Sequence, residues 1–296
     1  MTKPQLIRES TLEAASGGHS LATGYGHTCV IESPSGMARC WGDNSSSQLG
    51  DVAGNTACSW MYNPSAACLA APTAVVGNAP FTNGGLTQIG AGEQLSCART
   101  AGSTVYCWGN RVFFGSGGPD PKPVALMSDP ALTLPLANVS KVIVATKTVC
   151  ALTTAQTVYC AGFNAFGQTG DKGPGVPYAR PIPGLTTVKD IGAGDGHLCA
   201  VKTDGTVWCW GLDNFGQLGA NTADGGVYAT ATPLQVVGEN GTGKLRDVVA
   251  VSGGFAHTCA LTGAGSVLCW GRNNHGQLGN SSTIESKVPV RVQGLP

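Results

Sequence analysis

Residues 192–219 read GAGDGHLCAVKTDGTVWCWGLDNFGQLG. Two short runs of β-prone residues lie on either side of Asp204-Gly205, a pair that favours a tight turn. The pattern predicts an antiparallel β-hairpin. In such a hairpin Cys199 and Cys209 would lie opposite one another, with their Cα atoms about 4.5 to 5.5 Å apart, a separation that a disulfide accommodates.

The same spacing recurs along the chain and uses all twelve cysteines. Ten or eleven positions separate the members of each pair: Cys29/Cys40, Cys58/Cys68, Cys97/Cys107, Cys150/Cys160, Cys199/Cys209 and Cys259/Cys269. Zinc sites usually bring two cysteine ligands together across two to four residues, and the sequence has no such pair. We therefore predict six local disulfides and an oxidising location that is extracellular, cell-surface or periplasmic. The alternative is that the cysteines are reduced, small apolar residues in the core of a cytosolic protein.

Alignment on the first cysteine of each hairpin reveals a repeat. A glycine stands five positions earlier in four units, and a histidine two positions earlier in three: Gly24, Gly92, Gly194, Gly254, His27, His197 and His257. Tryptophan follows the second cysteine in four units: Trp41, Trp108, Trp210 and Trp270. A Gly-Gln-x-Gly block ends three units, at 167–170, 216–219 and 276–279, and Ser47-Gln48-Leu49-Gly50 is similar. The period of about 50 to 70 residues is near that expected for radial or solenoidal arrays.

Short strands, rather than helices, are predicted in each unit. Runs such as Val207–Trp210 and Val248–Val251 are short and lie between glycine or aspartate residues, and no window has an apolar stripe of helical period. We therefore expect an all-β chain, with an N-terminal segment at 1–19 and a β-propeller of about five four-stranded blades at 20–296, with one disulfide in each blade. The C-terminal run 288–292 has no hairpin after it, so we expect it to pair with the N-terminal blade and close the ring.

These motifs resemble the repeats of the regulator of chromosome condensation family. The Gly-x-x-His at Gly194–His197, the Trp-Gly after the second cysteine and the Gly-Gln-Leu-Gly that follows are similar to the family's pattern. The resemblance extends over about residues 20–296 and implies a β-propeller. Family members commonly have seven blades, whereas five are counted here, and the third unit has Ala145, Thr148 and Ala161 where Gly, His and Trp would stand. The cysteine pairs are similar to those of exported bacterial versions of the repeat.

The charge balance excludes one class of partner. The chain has 17 Lys+Arg against 17 Asp+Glu, so it has no basic stripe that could neutralise a phosphate backbone. We expect no nucleic-acid partner. No stretch reaches the roughly 20 apolar residues that cross a bilayer, so no membrane span is expected either. The first ten residues, MTKPQLIRES, lack the apolar centre of a secretory signal.

The leading candidate binding site is an insertion at about 51–80 in the first unit. A disulfide between Cys58 and Cys68 would brace a loop that presents Trp60, Met61 and Tyr62. Aromatic and methionine side chains on a braced loop are typical of interaction hot spots, because little ordering entropy remains to be lost on binding.

A second candidate lies in the second unit, where the Gly-Gln block is replaced by Arg111, Val112, Phe113 and Phe114. If exposed, this apolar cluster would need a partner. For both candidates the alternative is that the side chains fold over the disc and fill space left by irregular blades.

No catalytic or metal site is predicted. His27, His197 and His257 occupy equivalent places on three blades, so a ring could bring them around a metal ion. Because the position repeats with the scaffold, the favoured interpretation is that each imidazole bonds to nearby backbone and fixes a turn. No spacing marks a nucleophile or an acid and base pair. We therefore expect no enzyme activity and no cofactor.

Together these features predict an exported, non-catalytic recognition or scaffold module that binds a protein or a glycan through its blade-connecting loops. One alternative, implied by the resemblance, is an inhibitor of a secreted enzyme. Another, which the low charge and abundant Gly, Ser and Asn permit, is a structural subunit of an extracellular assembly. A guanine-nucleotide exchange or chromatin factor is disfavoured by the zero net charge and the predicted disulfides.

Overall fold

A computed structural model describes residues 20–51, 56–60, 63–77, 81, 85–110, 118–221 and 228–295, and at 56–60 and 63–66 only the backbone. Strands make up almost all the regular structure of these residues; the exception is one turn of 3-10 helix at Glu239–Gly241. In the same part of the chain, no helix has the length and hydropathy needed to cross a membrane.

The strands form five antiparallel sheets, one for each sequence repeat. The first blade contains β1 (Leu21–Thr23), β2 (His27–Ile31), β3 (Ala38–Asp43), β4 (Thr56–Trp60) and β5 (Asn63–Ala74). The second contains β6 (Leu86–Ala91), β7 (Leu95–Thr100), β8 (Val105–Asn110) and β9 (Pro119–Ala125). The third contains β10 (Val139–Ala145), β11 (Thr148–Thr153), β12 (Val158–Gly162) and β13 (Val176–Pro181). The fourth contains β14 (Val188–Ala193), β15 (His197–Lys202), β16 (Val207–Leu212) and β17 (Ala229–Gln235), and the fifth β18 (Val248–Gly253), β19 (His257–Thr262), β20 (Val267–Gly271) and β21 (Ser286–Arg291).

Blades two to five share one strand order, which follows the chain. An inner strand comes first, then the two strands of a central hairpin, then an outer strand. This confirms the predicted all-β fold of five blades. The first blade has five strands because β4 adds to the outer side of β5.

The predicted pairing of the C-terminal strand with the N-terminal blade is wrong. β21 instead completes the fifth blade, where Val290 lies opposite Cys269 on β20. The first blade obtains its inner strand from β1, whose Ala22 lies opposite Cys29. A strand of three residues is too short to leave a periodic pattern in the sequence, so β1 was not predicted.

One disulfide joins the two strands of each central hairpin, as predicted. The bonded pairs are Cys29–Cys40, Cys97–Cys107, Cys150–Cys160, Cys199–Cys209 and Cys259–Cys269, with Cα separations of 4.0 to 4.2 Å. The two cysteines of every pair are direct cross-strand neighbours, so the turn between them sets the geometry that the bond needs. Cys68 is also disulfide-bonded, whereas the side chain of Cys58 lies outside the described residues.

The hydrophobic core lies between neighbouring blades. One cluster, for example, joins Cys150 and Val158 of the third blade to Ala200 and Trp210 of the fourth. Trp108, Trp210 and Trp270 are fully buried in such clusters. These aromatic side chains therefore fill the space between sheets.

Each buried tryptophan also donates a hydrogen bond to the preceding blade. The indole Nε1 groups of Trp108, Trp210 and Trp270 lie 3.0, 2.9 and 2.8 Å from the main-chain oxygens of Gln48, Gln168 and Gln217. The Trp-Gly motif of one repeat and the Gly-Gln block of the repeat before it are thus two halves of one blade–blade seam.

The seam between the second and third blades is built differently. The second unit lacks the glutamine block, and the third has Ala161 where the tryptophan would stand. Leu95 and Val149, both fully buried, pack in the same apolar cluster at this seam. Both halves of the polar seam are therefore missing together, and apolar packing replaces them.

Candidate functional site

Five equivalent turns meet at one end of the inner strands. Each turn connects an inner strand to the central hairpin and follows the glycine, or Ala145, that stands five positions before the first cysteine. The residues at the tips are Tyr25, Glu93, Thr146, Asp195 and Phe255, and they line a cleft of about 300 Å³. We call this cleft the axial cleft, and the face of the propeller that carries it the cleft face.

Close backbone approach explains the repeated glycine in these turns. A Cβ atom on Gly24 would lie 2.1 Å from the carbonyl oxygen of Gly92, and one on Gly92 would lie 2.5 Å from that of Thr146. The same carbonyl groups accept hydrogen bonds from the amides of Tyr25 and Glu93, at 3.0 and 2.9 Å. The turns of the first three blades are therefore joined directly, which fixes the position of the side chains at their tips.

The axial cleft has an aromatic part and an acidic part. Tyr25 of the first blade and Phe255 of the fifth are 72% and 59% exposed. On the intervening blades, a carboxylate oxygen of Glu93 lies 3.6 Å from Nζ of Lys147. Thr146 Oγ1 donates to Asp195, both to a carboxylate oxygen at 2.8 Å and to the main-chain oxygen. Exposed aromatic rings beside carboxylates suit a cationic side chain such as arginine or lysine.

Two of the repeated histidines lie in the seams and are not among the described residues that line the cleft. His27 Nε2 is 2.8 Å from Ser96 Oγ, and His197 Nε2 is 2.8 Å from Thr258 Oγ1, in each case on the following blade. The expectation that these rings bond to nearby backbone is therefore wrong. Their partners are side-chain hydroxyls more than 60 residues away in the sequence.

The hydroxyl groups settle which atom of each imidazole carries the proton. Ser96 Oγ donates its hydrogen to the main-chain oxygen of Gln48 at 2.8 Å, so it accepts from the Nε2–H group of His27. Likewise, Thr258 Oγ1 donates its hydrogen to the main-chain oxygen of Gln217 at 2.9 Å, so it accepts from the Nε2–H group of His197. Each ring thus supplies one donor to the seam and remains neutral.

Burial keeps these rings neutral well into the acid range. It lowers the pKa of His27 to about 4, against a smaller opposing effect of Asp43. It lowers the pKa of His197 to about 3, with a further contribution from His257. Among the residues that the structure describes, no three His, Cys, Asp or Glu side chains are placed to hold a metal ion. The histidines act as structural hydrogen-bond donors.

Most of the binding residues predicted from sequence fall outside the described residues: Met61, Tyr62, Arg111, Val112, Phe113 and Phe114. Trp60 ends β4, and only its backbone is described. The structure does show where the neighbouring strands end.

The hairpin of the insertion leaves the first blade at the cleft face. β5 pairs with β3 as far as Cys68, which lies opposite Asp43 at the cleft end of that strand. It then continues with β4 as far as Asn63. The five residues of β5 that lie beyond the end of β3, 63–67, correspond to about 16 Å at the usual rise of a strand. This hairpin therefore extends past the end of the blade.

The chain that precedes the second candidate cluster ends on the same face. In β8, Gly109 lies opposite Leu95, the first residue after the turn at Glu93. β8 ends one residue later, at Asn110. β8 thus ends at the cleft face, where the insertion hairpin also leaves its blade.

The axial cleft itself was not predicted, although the sequence contained a signal for it. The residue after the repeated glycine differs in every unit, being Tyr, Glu, Thr, Asp or Phe. A variable side chain directly after a fixed structural position is typical of a surface that a scaffold presents for binding.

Known structures show the same fold. Human WBSCR16 superimposes with a TM-score of 0.74 at 21% identity, over 94% of this chain and 68% of that chain. Yeast RCC1 (Prp20), in a complex with Kap60, gives a TM-score of 0.55 at 19% identity, over 92% and 74% of the two chains.

Two kinds of sequence relative match this chain over short segments. The human E3 ubiquitin-protein ligase HERC2 is 44% identical over 50 residues, which are 17% of this chain and 1% of that protein. The mitochondrial RCC1 domain-containing protein RUG3 of Arabidopsis thaliana is 44% identical over 48 residues, 16% of this chain and 11% of that protein. A family model described as the RCC1-like domain matches residues 2–296. The chain belongs to the RCC1-like domain family.

Proposed function

We propose that this chain is an exported, non-catalytic scaffold that binds a protein partner through its cleft face. The observation that supports this most directly is the convergence of three features on that face. They are the axial cleft, the insertion hairpin of the first blade and the end of β8 at Asn110. One structural relative, yeast Prp20, also binds proteins: its structures concern a complex with Kap60 and its binding to Gsp1p and histones.

The chemistry of the cleft favours a partner with a cationic side chain at the centre of its contact surface. Tyr25 and Phe255 provide aromatic faces, and Glu93 and Asp195 provide negative charge. A partner Arg or Lys inserted here would gain cation–π and charge-assisted contacts at once.

The residues predicted from sequence form the outer part of this proposed surface. Trp60, Met61 and Tyr62 belong to the insertion, and Arg111, Val112, Phe113 and Phe114 follow β8. Large aromatic side chains next to a polar centre are the composition of an interaction hot spot.

The disulfides support the exported location. Each of the five hairpins is crosslinked within its blade. Such bonds persist outside the cytosol, so the proposed location is extracellular, cell-surface or periplasmic.

Affinity capture with matched variants tests the binding surface. The immobilised chain is exposed to cell-surface and culture-supernatant proteins, and the recovered proteins are identified by mass spectrometry. Tyr25→Ala with Phe255→Ala, and Trp60→Ala with Tyr62→Ala, should each weaken binding of the same partner about 30-fold or more, as expected for hot-spot residues. Leu134→Ala is the control, because Leu134 is exposed and lies in the connection after β9, on the opposite face.

Two results would contradict the proposal. In the first, both cleft-face variants retain the partner with unchanged affinity. In the second, capture survives protease treatment of the supernatant and is lost after periodate oxidation, which would assign a glycan ligand instead.

A further inference from the structure

A pocket of about 180 Å³ lies in the seam between the second and third blades, and we call it the seam pocket. The residues that line it come from β8, from β9 and the connection that follows it, and from β13. They include Cys107, Val124, Leu126, Met127, Leu132 and Pro177. Among the described residues that line this pocket, none has a charged side chain.

The seam pocket borders the residue against which a tryptophan packs at another seam. Leu126 and Val236 are equivalent, since each donates its amide to the first residue of the second hairpin strand of its blade. Val236 shares an apolar cluster with Trp270 of the following blade. Leu126 shares one with Ala161, which stands at the tryptophan position of the third blade. The seam between the second and third blades therefore lacks the indole ring that Val236 contacts.

Hydrogen bonds in the connection after β9 hold one wall of the seam pocket in place. Leu132 has a φ of 55°, in the left-handed region that a bulky residue rarely adopts. Its amide donates to the main-chain oxygen of Asp129 at 3.1 Å. The carboxylate of Asp129 accepts from the amides of Thr133 and Leu134, at 2.9 and 2.7 Å. These contacts fix the connection in a shape that places Leu132 at the pocket.

Main-chain groups beside the pocket already have partners. The carbonyl oxygen of Leu126 accepts from the amide of Leu136 at 2.7 Å, and that of Met127 accepts from the amide of Ala179 at 2.7 Å. A charged or strongly polar ligand would lose its hydrogen bonds to water here and gain few in return. The seam pocket therefore suits a neutral, apolar ligand.

The volume of the seam pocket limits the size of that ligand. An apolar protein cavity of about 150 Å³ stays dry and binds benzene, and the seam pocket is slightly larger. Val124 and Leu132 are 41% and 37% exposed, so the pocket is open to solvent at these residues. The thioether of Met127 adds a group that makes favourable contacts with aromatic rings.

We propose that the seam pocket binds a small neutral aromatic molecule, of about the size of benzene or indole. Its ring would pack beside Leu126, as the indole of Trp270 packs beside Val236. β9 begins opposite Asn110 at the cleft face and runs away from it, and the pocket lies at the far end of this strand. The site is therefore separate from the protein-binding surface proposed above.

Nuclear magnetic resonance of methyl-labelled methionine tests this proposal. The full chain is labelled with ¹³C at the methyl groups of its four methionines, and a Met127→Leu variant assigns the signal of Met127. Indole should shift the Met127 signal saturably and leave the signal of Met37, in the first blade, unchanged. Benzoate has one aromatic ring and a negative charge, and it should shift neither signal.

Two matched variants of the connection after β9 locate the site. Leu132→Asn removes an apolar wall, and asparagine adopts a positive φ readily, so the fold should be kept. This variant should bind indole about tenfold more weakly or worse, because its wall is polar. Leu134→Asn changes a residue that is 61% exposed, and it should bind indole as the wild type does. Unchanged melting temperatures establish that both variants are folded.

Three results would overturn the proposal. The first is a wild-type Met127 signal that does not shift, or that shifts without saturation up to the solubility limit of indole. The second is an unchanged affinity for indole in the folded Leu132→Asn variant. The third is benzoate binding as tight as that of indole, which would show that the site does not select neutral ligands.

Discussion

The indole Nε1 of Trp270 donates a hydrogen bond to the main-chain oxygen of Gln217, which lies 2.8 Å away on the preceding blade. Thr258 Oγ1 donates to the same oxygen at 2.9 Å. A single carbonyl group thus accepts two hydrogen bonds from the next repeat, inside a seam that excludes water. Loss of either donor leaves the acceptor with less than its full complement of partners.

Replacement of Trp270 by alanine should therefore be costly. The substitution removes a fully buried aromatic side chain and its hydrogen bond, so we expect the free energy of unfolding to fall by about 3 to 5 kcal/mol. Urea denaturation of the oxidised protein measures the change. Trp41→Ala is the matched control, because Trp41 holds the equivalent position and is only partly buried. Equal losses for the two variants would show that burial in the seam is not the source of the stability.

The repeated glycine of the axial turns gives a second prediction. A Cβ on Gly92 would lie 2.5 Å from the carbonyl oxygen of Thr146, so Gly92→Ala must push the second and third blades apart. We expect a loss of about 1 to 3 kcal/mol, the usual cost of overpacking. In Gly102→Ala the new Cβ would have its nearest neighbour at 3.6 Å, and that variant should keep its stability. Thermal melts of the two variants make the comparison.

The buried histidines should make the protein sensitive to acid. Because the pKa of His197 falls from 6.5 to about 3 on folding, the unfolded chain binds a proton in this range and the folded chain does not. The contribution of this ring to the free energy of unfolding is therefore fully present above pH 6.5, and it is lost as the pH falls towards 3. The loss at pH 5, relative to pH 7.5, is about 2 kcal/mol for this ring.

Denaturation at several pH values tests the sensitivity to acid. His197→Leu should reduce the dependence between pH 7.5 and pH 5 by the contribution of this ring and leave the contribution of His27, even though it removes the hydrogen bond to Thr258. His275→Gln is the control, because the ring of His275 is exposed, and it should keep the wild-type slope. An unchanged slope in His197→Leu would rule out this ring as the acid-sensitive group.

The disulfide of the third blade should matter for stability. Double replacement of Cys150 and Cys160 by alanine removes a disulfide whose two cysteines are ten positions apart in the sequence. The chain-entropy model gives a loss of about 3 kcal/mol for a loop of this length. Urea denaturation of the double variant checks this value.

Alkylation of the denatured, unreduced wild-type chain checks the bonding itself. No free thiols are expected. More than two free thiols would contradict the crosslinked fold and the proposed location outside the cytosol.

Local signals predicted the hairpins well. The turn at Asp204-Gly205 and the spacing of the cysteines are enough to place Cys199 opposite Cys209. The position of the C-terminal strand could not be read in the same way. By its sequence pattern alone, β21 could pair with the edge of any central hairpin. Only the structure shows that β1 already provides the inner strand of the first blade.

The seams and the axial cleft depend on contacts between distant repeats. Ser96 is 69 residues from His27, and the acceptor that Trp108 shares with Ser96 is a backbone oxygen, which no side-chain motif identifies. The five tip residues of the cleft likewise come together only when the blades are arranged around an axis. Alignment of the repeats identifies each of these positions, but it does not identify the residue on another blade that each position contacts.

Because each seam is encoded half on one repeat and half on the next, the order of the repeats along the chain is not arbitrary. If the third and fourth units exchanged places, Trp210 would face the second unit, which has no glutamine block, and Ala161 would face Gln217. A duplicated or shuffled unit would therefore be compatible with only some neighbours. A change in one repeat therefore alters which side chains the repeat beside it can pack against, and the seams tie the fold to the linear succession of units in this chain.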